Sequence, residues 1–159
     1  MDDKEILFTE IRNGNFKKVS ELLEKNAQLV RIRDERGSTP LILATYYGHA
    51  AIANLLLEKG ASVDATDGSG NTALMGVCFK GFYEIAKTLV GAGANVNVVN
   101  AMGSTCLIYA ATFNKLEIAR LLLDHGANVH TKDARGQKAL DHAESQEATE
   151  MIALLTSYS

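Results

Sequence analysis

The sequence predicts an all-α solenoid, in which helix–turn–helix units stack side by side and are joined by β-turn or hairpin loops. Two observations carry this. Gly37, Gly70, Gly103 and Gly136 stand 33 residues apart, and each opens the same phrase: Gly37-Ser-Thr-Pro-Leu41, Gly70-Asn-Thr-Ala-Leu74, Gly103-Ser-Thr-Cys-Leu107 and Gly136-Gln-Lys-Ala-Leu140. One period kept over four phrases marks a repeated supersecondary unit that buries its apolar face only by stacking on its neighbours. Within each unit, moreover, apolar residues at helical spacing are interrupted twice by Gly or Asn, the residues that tolerate positive φ and end helices. A chain of 159 residues at this period holds about five units, enough for a continuous core.

Each unit begins at Asp34, Asp67, Asn100 or Asp133, three residues before its Gly, a spacing suited to a turn braced by the side chain. Thr39, Thr72 and Thr105 then cap a first helix, with Pro40 at its first position, and Leu41, Leu74, Leu107 and Leu140 start its apolar stripe. That helix breaks at Gly48 and Gly81, with Asn114 in the equivalent place. A second helix follows, carrying Ile52, Leu55 and Leu56 in one unit and Ile118, Leu121 and Leu122 in another. It stops at Gly60, Gly93 and Gly126. Ala61-Ser-Val63, Ala94-Asn-Val96 and Ala127-Asn-Val129 lead out through an extended stretch into the next turn.

The segment from Asp34 through Gly37-Ser-Thr-Pro-Leu41 and Ala44, on to Gly48-His49 and Leu55-Leu-Leu-Glu-Lys-Gly-Ala61, resembles the ankyrin repeat nearly letter for letter. The resemblance spans essentially the whole chain. It implies a single domain, 1–159, with full repeats at 34–66, 67–99 and 100–132, an N-terminal cap at 1–33 and a C-terminal cap at 133–159. Polar residues on the caps, such as Lys4, Glu5 and Lys17 at one end and His142, Glu144 and Glu147 at the other, give the expectation of a complete array. Where the family usually carries His after Thr-Pro-Leu, this chain has Ile42, Met75, Ile108 and Asp141, so apolar packing is expected to replace hydrogen bonds between units. Six of the thirteen glycines fall in the unit 67–99. Gly76 and Gly91 lie at expected helix-interior positions, each costing about 0.5–1 kcal/mol relative to Ala, so this unit is expected to be the softest.

Composition narrows the function. Hydrophobic residues make up 47% and charged residues 22%, and the net charge of −3 gives no general pull towards nucleic acid or anionic membrane. No run of 18 apolar residues exists, and the start lacks a secretory pattern. Two cysteines, Cys78 and Cys106, are too few for a disulfide framework and fit small apolar groups on helices. A cytoplasmic protein with reduced thiols is the simplest reading.

Chemistry-bearing clusters are weak. His49 holds the Gly-His position common in the family, a structural one. His125 and His130 flank Gly126 without zinc spacing, and Asp141-His142 beside Ser145 has adjacency but no triad geometry. No phosphate-cradling Gly loop ends in Lys-Ser/Thr. Neither an enzyme nor a cofactor or metal site is expected. Arg31, Arg33 and Arg36, with Lys80, Lys132 and Arg135, raise nucleic acid as a weak possibility, blunted by Asp34, Glu35, Asp67 and Asp133.

The resemblance implies binding of another protein through the concave side, built from turn tips and the exposed ends of first helices. Counting two residues back from each mid-unit break gives Tyr46 and Tyr47, Phe79 and Lys80, Thr112 and Phe113, and Ser145 and Gln146. The turn tips contribute Arg36, Met102 and Arg135, and the loops before them Arg33. Tyr, Phe, Met and Arg are the types enriched in interface cores and hot spots. The candidate partner-binding residues are therefore Arg33, Arg36, Tyr46, Tyr47, Phe79, Lys80, Met102, Thr112, Phe113 and Arg135. Two alternatives stay open. The same aromatic stripe can join copies of the chain in a weak homo-oligomer, or its rings can fold onto neighbouring units, Tyr46 or Tyr109 filling the space beside Gly76. The resemblance also raises modification of the loop position held by Asp64, Asn97 and His130, since Asn there is hydroxylated in some ankyrin proteins.

Overall fold

The turns set the register of the whole molecule. A computed structural model describes residues 1–158. At each turn one side-chain oxygen does the same work: Oδ1 of Asp34, Asp67, Asn100 and Asp133 accepts backbone N–H bonds from the residues two and four positions on, at 2.9–3.0 Å. The turns are then tied to one another. Gly68 N–H donates to the Arg36 carbonyl at 2.9 Å, Ala101 N–H to Ser69 at 3.0 Å and Ala134 N–H to Met102 at 3.0 Å. This ladder runs along the tips, 33 residues per step. Strand-like pairing among the described residues is confined to the single bridge Thr66–Thr72, so the connections are turns in register rather than a sheet.

Helices come in pairs behind the turns. In chain order they are α1 Asp3–Arg12, α2 Phe16–Lys25, α3 Pro40–Tyr46, α4 Ala50–Glu58, α5 Ala73–Lys80, α6 Tyr83–Gly91, α7 Cys106–Thr112, α8 Leu116–Asp124, α9 Ala139–Ser145 and α10 Thr149–Thr156, with a 3₁₀ turn at Ala27–Arg31. Thr39, Thr72 and Thr105 start α3, α5 and α7, each hydroxyl accepting a backbone N–H three residues on at 3.2 Å. Such a cap contributes about 1 kcal/mol. Lys138 cannot play this part at α9. There the Asp141 carboxylate accepts the Lys138 N–H at 2.8 Å, so the residue that departs from the repeat's apolar pattern replaces the missing cap. Mid-unit reversals fall at Gly48, Gly81, Asn114 and also Glu147, all at positive φ. Glu147 gave no sequence signal for this.

The first helices α1, α3, α5, α7 and α9 pack one on the next, as do the second helices α2, α4, α6, α8 and α10. Between the layers lie Leu41, Leu74 and Leu107 with Ile52, Leu56, Leu89 and Leu122, all 2% exposed or less. Truncating one of these leucines to Ala costs about 2–5 kcal/mol. Ile42, Met75 and Ile108 are buried too, which is the apolar packing expected in place of the missing histidines. Two details differ from the sequence expectation. Leu121 is only half-buried while Leu123 joins the core of α8, and Gly91 closes α6 as its last residue instead of lying in its interior.

Candidate functional site

The tips and the ends of the first helices hold six of the nine large hydrophobic side chains that are exposed among the described residues. Tyr46, Tyr47, Phe79 and Phe113 are 38–45% exposed, Val99 is 52% and Met102 64%. Each is placed by a repeated feature: the rings by the reversal that ends a first helix, Met102 and Val99 by the turn braced on Asn100.

These rings are not loose. Tyr46 leans over α5, so that a methyl group built on Gly76 would meet its Cδ1 at 3.4 Å. Lys80 Nζ lies 4.9 Å from the centre of the same ring, a cation–π contact between adjacent units. Tyr47 meets Tyr46 edge-on at 5.7 Å and stacks near His49 at 6.4 Å. Phe79 and Phe113, from adjacent units, meet edge to face at 4.7 Å, and Tyr109 stacks on Phe113 at 6.5 Å. The stripe is thus two linked clusters, each bridging repeats while keeping an open face.

The polar candidates divide. Arg36 and Arg135 are exposed; Asp34 and Asp133 engage their backbone N–H groups, and the Arg36 carbonyl accepts from Gly68 N–H. Arg33 belongs to the scaffold: its guanidinium donates to the carbonyls of Gly37 and Thr66, tying one turn to the next. Thr112 is half-buried, its hydroxyl donating to the Ile108 carbonyl at 2.7 Å, while its own carbonyl accepts from Gln146 at 2.6 Å.

Tyr46, Tyr47 and Arg36 line a groove of about 1140 Å³ that runs from the first turn across α1 and α3 to Asp67 and Ser69. Its α1 wall, with Phe8, Thr9 and Arg12, was not among the sequence candidates. The signal was present: the count of two residues back from a break, applied to Gly14, gives Arg12 and Asn13. Glu5 and Lys4, expected on a solvated cap surface, line the same groove.

The other reactive groups serve the scaffold. His49 Nε2 lies 3.1 Å from the Arg12 carbonyl and so ties the first full unit to the cap. His142 Nε2 pairs with Asp133 Oδ2 at 2.8 Å, while Ser145 Oγ donates to the Asp141 carbonyl, so His142 and Ser145 form no relay. Burial pushes the Asp133 carboxyl up, but N–H donors from Gln137 and Arg135 and the His142 ring outweigh it and hold the group below the ordinary range. Cys78 and Cys106 are free and fully buried. Burial, reinforced by hydrogen bonding to Cys106, pushes the Cys78 thiol well up, which makes it a poor nucleophile. Asn97 braces the next unit, its Oδ1 accepting from Asn128 N–H at 2.8 Å and its Nδ2 donating to the Gly126 carbonyl at 3.0 Å. Among the described residues no three metal-ligating side chains come together, and no helix is long and apolar enough to cross a membrane.

Comparison with known proteins agrees with this architecture. The family model described as ankyrin repeats (3 copies) matches residues 2–67 and 74–159, and that described as ankyrin repeats (many copies) matches residues 51–90. The chain belongs to the ankyrin-repeat family. It is similar to "Ankyrin repeat and SAM domain-containing protein 6" of Mus musculus, with 36% identity over 58 residues, a stretch that covers 36% of this chain and 7% of the mouse protein. Ankyrin repeats are general protein–protein interaction modules, and proteins built from them are typically non-enzymatic scaffolds.

Proposed function

We propose that this chain is a non-enzymatic adaptor that binds one partner protein through the concave face of a single array, with full units at 34–66, 67–99 and 100–132 between caps at 1–33 and 133–159. One observation carries the reading. Nine large hydrophobic side chains are exposed among the described residues, and six of them, Tyr46, Tyr47, Phe79, Val99, Met102 and Phe113, stand at turn tips and first-helix ends. The remaining three, Met1, Phe16 and Tyr158, lie towards the chain ends. A concentration of this kind marks an interaction surface. The aromatic rings act as anchors that enter apolar pockets on the partner, with Arg36, Lys80 and Arg135 on the rim. Arg33 and Thr112 support that surface from behind. Two buried, unpaired thiols fit a reducing, cytoplasmic setting.

The experiment is affinity capture by wild type beside a Tyr46→Ala, Tyr47→Ala, Phe79→Ala, Phe113→Ala variant, after circular dichroism shows equal helicity. A partner held by wild type and lost by the variant supports the reading, since truncating an anchor costs about 2 kcal/mol or more. A partner retained by both proteins places the binding surface elsewhere. Light scattering across concentrations tests the remaining arrangement, in which the stripe joins copies of the chain.

A further inference from the structure

We propose that the segment occupying the concave face carries apolar side chains at its centre and carboxylates on both flanks. This rests on the concave-face reading above and adds the chemistry of the occupant. Its basis is a difference in availability between the charges along the tips.

The acids that brace the turns are partly engaged. Asp34, Asp67 and Asp133 each accept two backbone N–H bonds on one oxygen, and the second oxygen of Asp133 holds His142. Such a carboxylate keeps its charge; Asp133 has both oxygens committed, while Asp34 and Asp67 each retain Oδ2. The bases differ. Among the described residues the ion pairs are Lys25–Asp3 and His142–Asp133, so Arg36, Lys132 and Arg135 pair with no acid. Glu35 is the one tip carboxylate with no such engagement, and Arg36 follows it directly.

The order of side chains along the tips is fixed by the backbone ladder: Arg36, Ser69, Met102, Arg135 in one row and Arg33, Thr66, Val99, Lys132 in the loop row before it. The free cations therefore stand at the two ends, and Met102 and Val99 in the interior, on the units that also carry Phe79 and Phe113. Neighbouring helices pack about 8–10 Å apart, so the three steps from Arg36 to Arg135 cover roughly 24–30 Å. An extended chain rising about 3.3 Å per residue crosses that distance in roughly eight residues. Arginine binds carboxylates in a bidentate fork, which favours acidic flanks over a merely polar segment.

The test selects from a display library of random peptides about twelve residues long, enough to exceed the span. Wild type is expected to enrich peptides with central Leu, Ile or Phe and with Asp or Glu towards both ends. Arg36→Glu combined with Arg135→Glu alters two exposed side chains that support no neighbour, and circular dichroism verifies that the fold is kept. That variant is expected to bind the wild-type peptides at least about tenfold more weakly and to enrich Lys or Arg on the flanks. Neutral or basic flanks on the wild-type peptides would overturn the proposal, as would identical peptides from both proteins. Enrichment no greater than on a bare support would also overturn it. Partner loss on the four-alanine variant can stand in all these cases, so the two readings fail separately.

Discussion

Gly103 and Gly136 occupy the same place in successive turns, at φ 72° and 78°, but only Gly103 has another unit against it. The pair isolates what stacking demands of the repeat glycine. Gly136→Ala meets no atom within 4 Å, so its cost is that of a side chain in the left-handed region, about 1–2 kcal/mol. Gly103→Ala carries the same cost and more. Its Cβ would lie 2.8 Å from the Ala134 nitrogen and 3.1–3.2 Å from Asp133 backbone atoms, none of which can swing aside. The two turns must separate, at the expense of the 3.0 Å bond from Ala134 N–H to the Met102 carbonyl, which contributes about 0.5–1.5 kcal/mol. Gly103→Ala is therefore expected to lose about 1.5–3.5 kcal/mol, about 0.5–1.5 kcal/mol beyond the loss from Gly136→Ala. Urea unfolding followed by far-ultraviolet dichroism resolves such a gap as a midpoint difference of roughly 0.2–1.5 M. Amide exchange at Ala134 should accelerate in Gly103→Ala alone. Equal midpoint shifts for the two variants would refute the reasoning, because the period would then be maintained by local turn geometry and not by contact between units.

Three further outcomes follow from the same geometry. Because the folded Asp133 carboxyl is held below its ordinary value near 3.9, the unfolded chain binds the proton first; the stability from this group is present above that pH and is lost as acid carries the protein through the folded value. Asp133→Asn, which keeps an acceptor as Asn100 does, should flatten the acid limb of a dichroism titration, and parallel curves for wild type and variant would contradict this. Gly76→Ala should stabilise by about 0.5–1 kcal/mol, since the new methyl meets Tyr46 at an ordinary contact distance inside a helix; a lowered melting temperature would show instead that Tyr46 needs the bare glycine. Hydrogen exchange should find residues 67–99 the least protected full unit, and the greatest protection there would exclude the link between its glycines and softness.

The period, the turn braces, the caps and both breaks of each full unit were legible because each depends on one or two residue types at one spacing. Asp34, Thr39, Gly48 and Gly60 act within four residues of themselves, and local chemistry is what a sequence displays. What escaped depended on neighbours a whole unit away. Arg33 reads as a free cation until the Thr66 carbonyl is seen beside it, and Arg12 reads as a cap charge until α1 is seen to continue the first-helix layer. Glu147 at positive φ and Asp141 as a substitute cap break the repeat's residue rules, and for that reason carried no signal. The stripe itself was readable as positions, since counting from the breaks finds Tyr46, Tyr47, Phe79 and Phe113. Its pairing across units was not.

That pairing bears on how such a surface binds. An exposed ring that must be immobilised by its partner loses rotamer freedom on association, at about 0.5–1.5 kcal/mol per side chain. Here the rings already have partners in the free protein: Lys80 lies over Tyr46, and Phe79 and Phe113 meet edge to face. Such an edge-to-face pair contributes about 0.5–1.5 kcal/mol to the stack, so the contacts that order the stripe also help join adjacent units. The capping Thr39 and Thr72 and the turn glycines Gly37 and Gly70, by contrast, make the scaffold without lining the groove beside Tyr46 and Tyr47. In the proposed adaptor, stability and recognition therefore overlap at the aromatic clusters and separate at the tips. Substitutions of Arg36, Met102 and Arg135 should accordingly alter partner choice with little effect on folding, whereas changes to Phe79 or Phe113 should alter both.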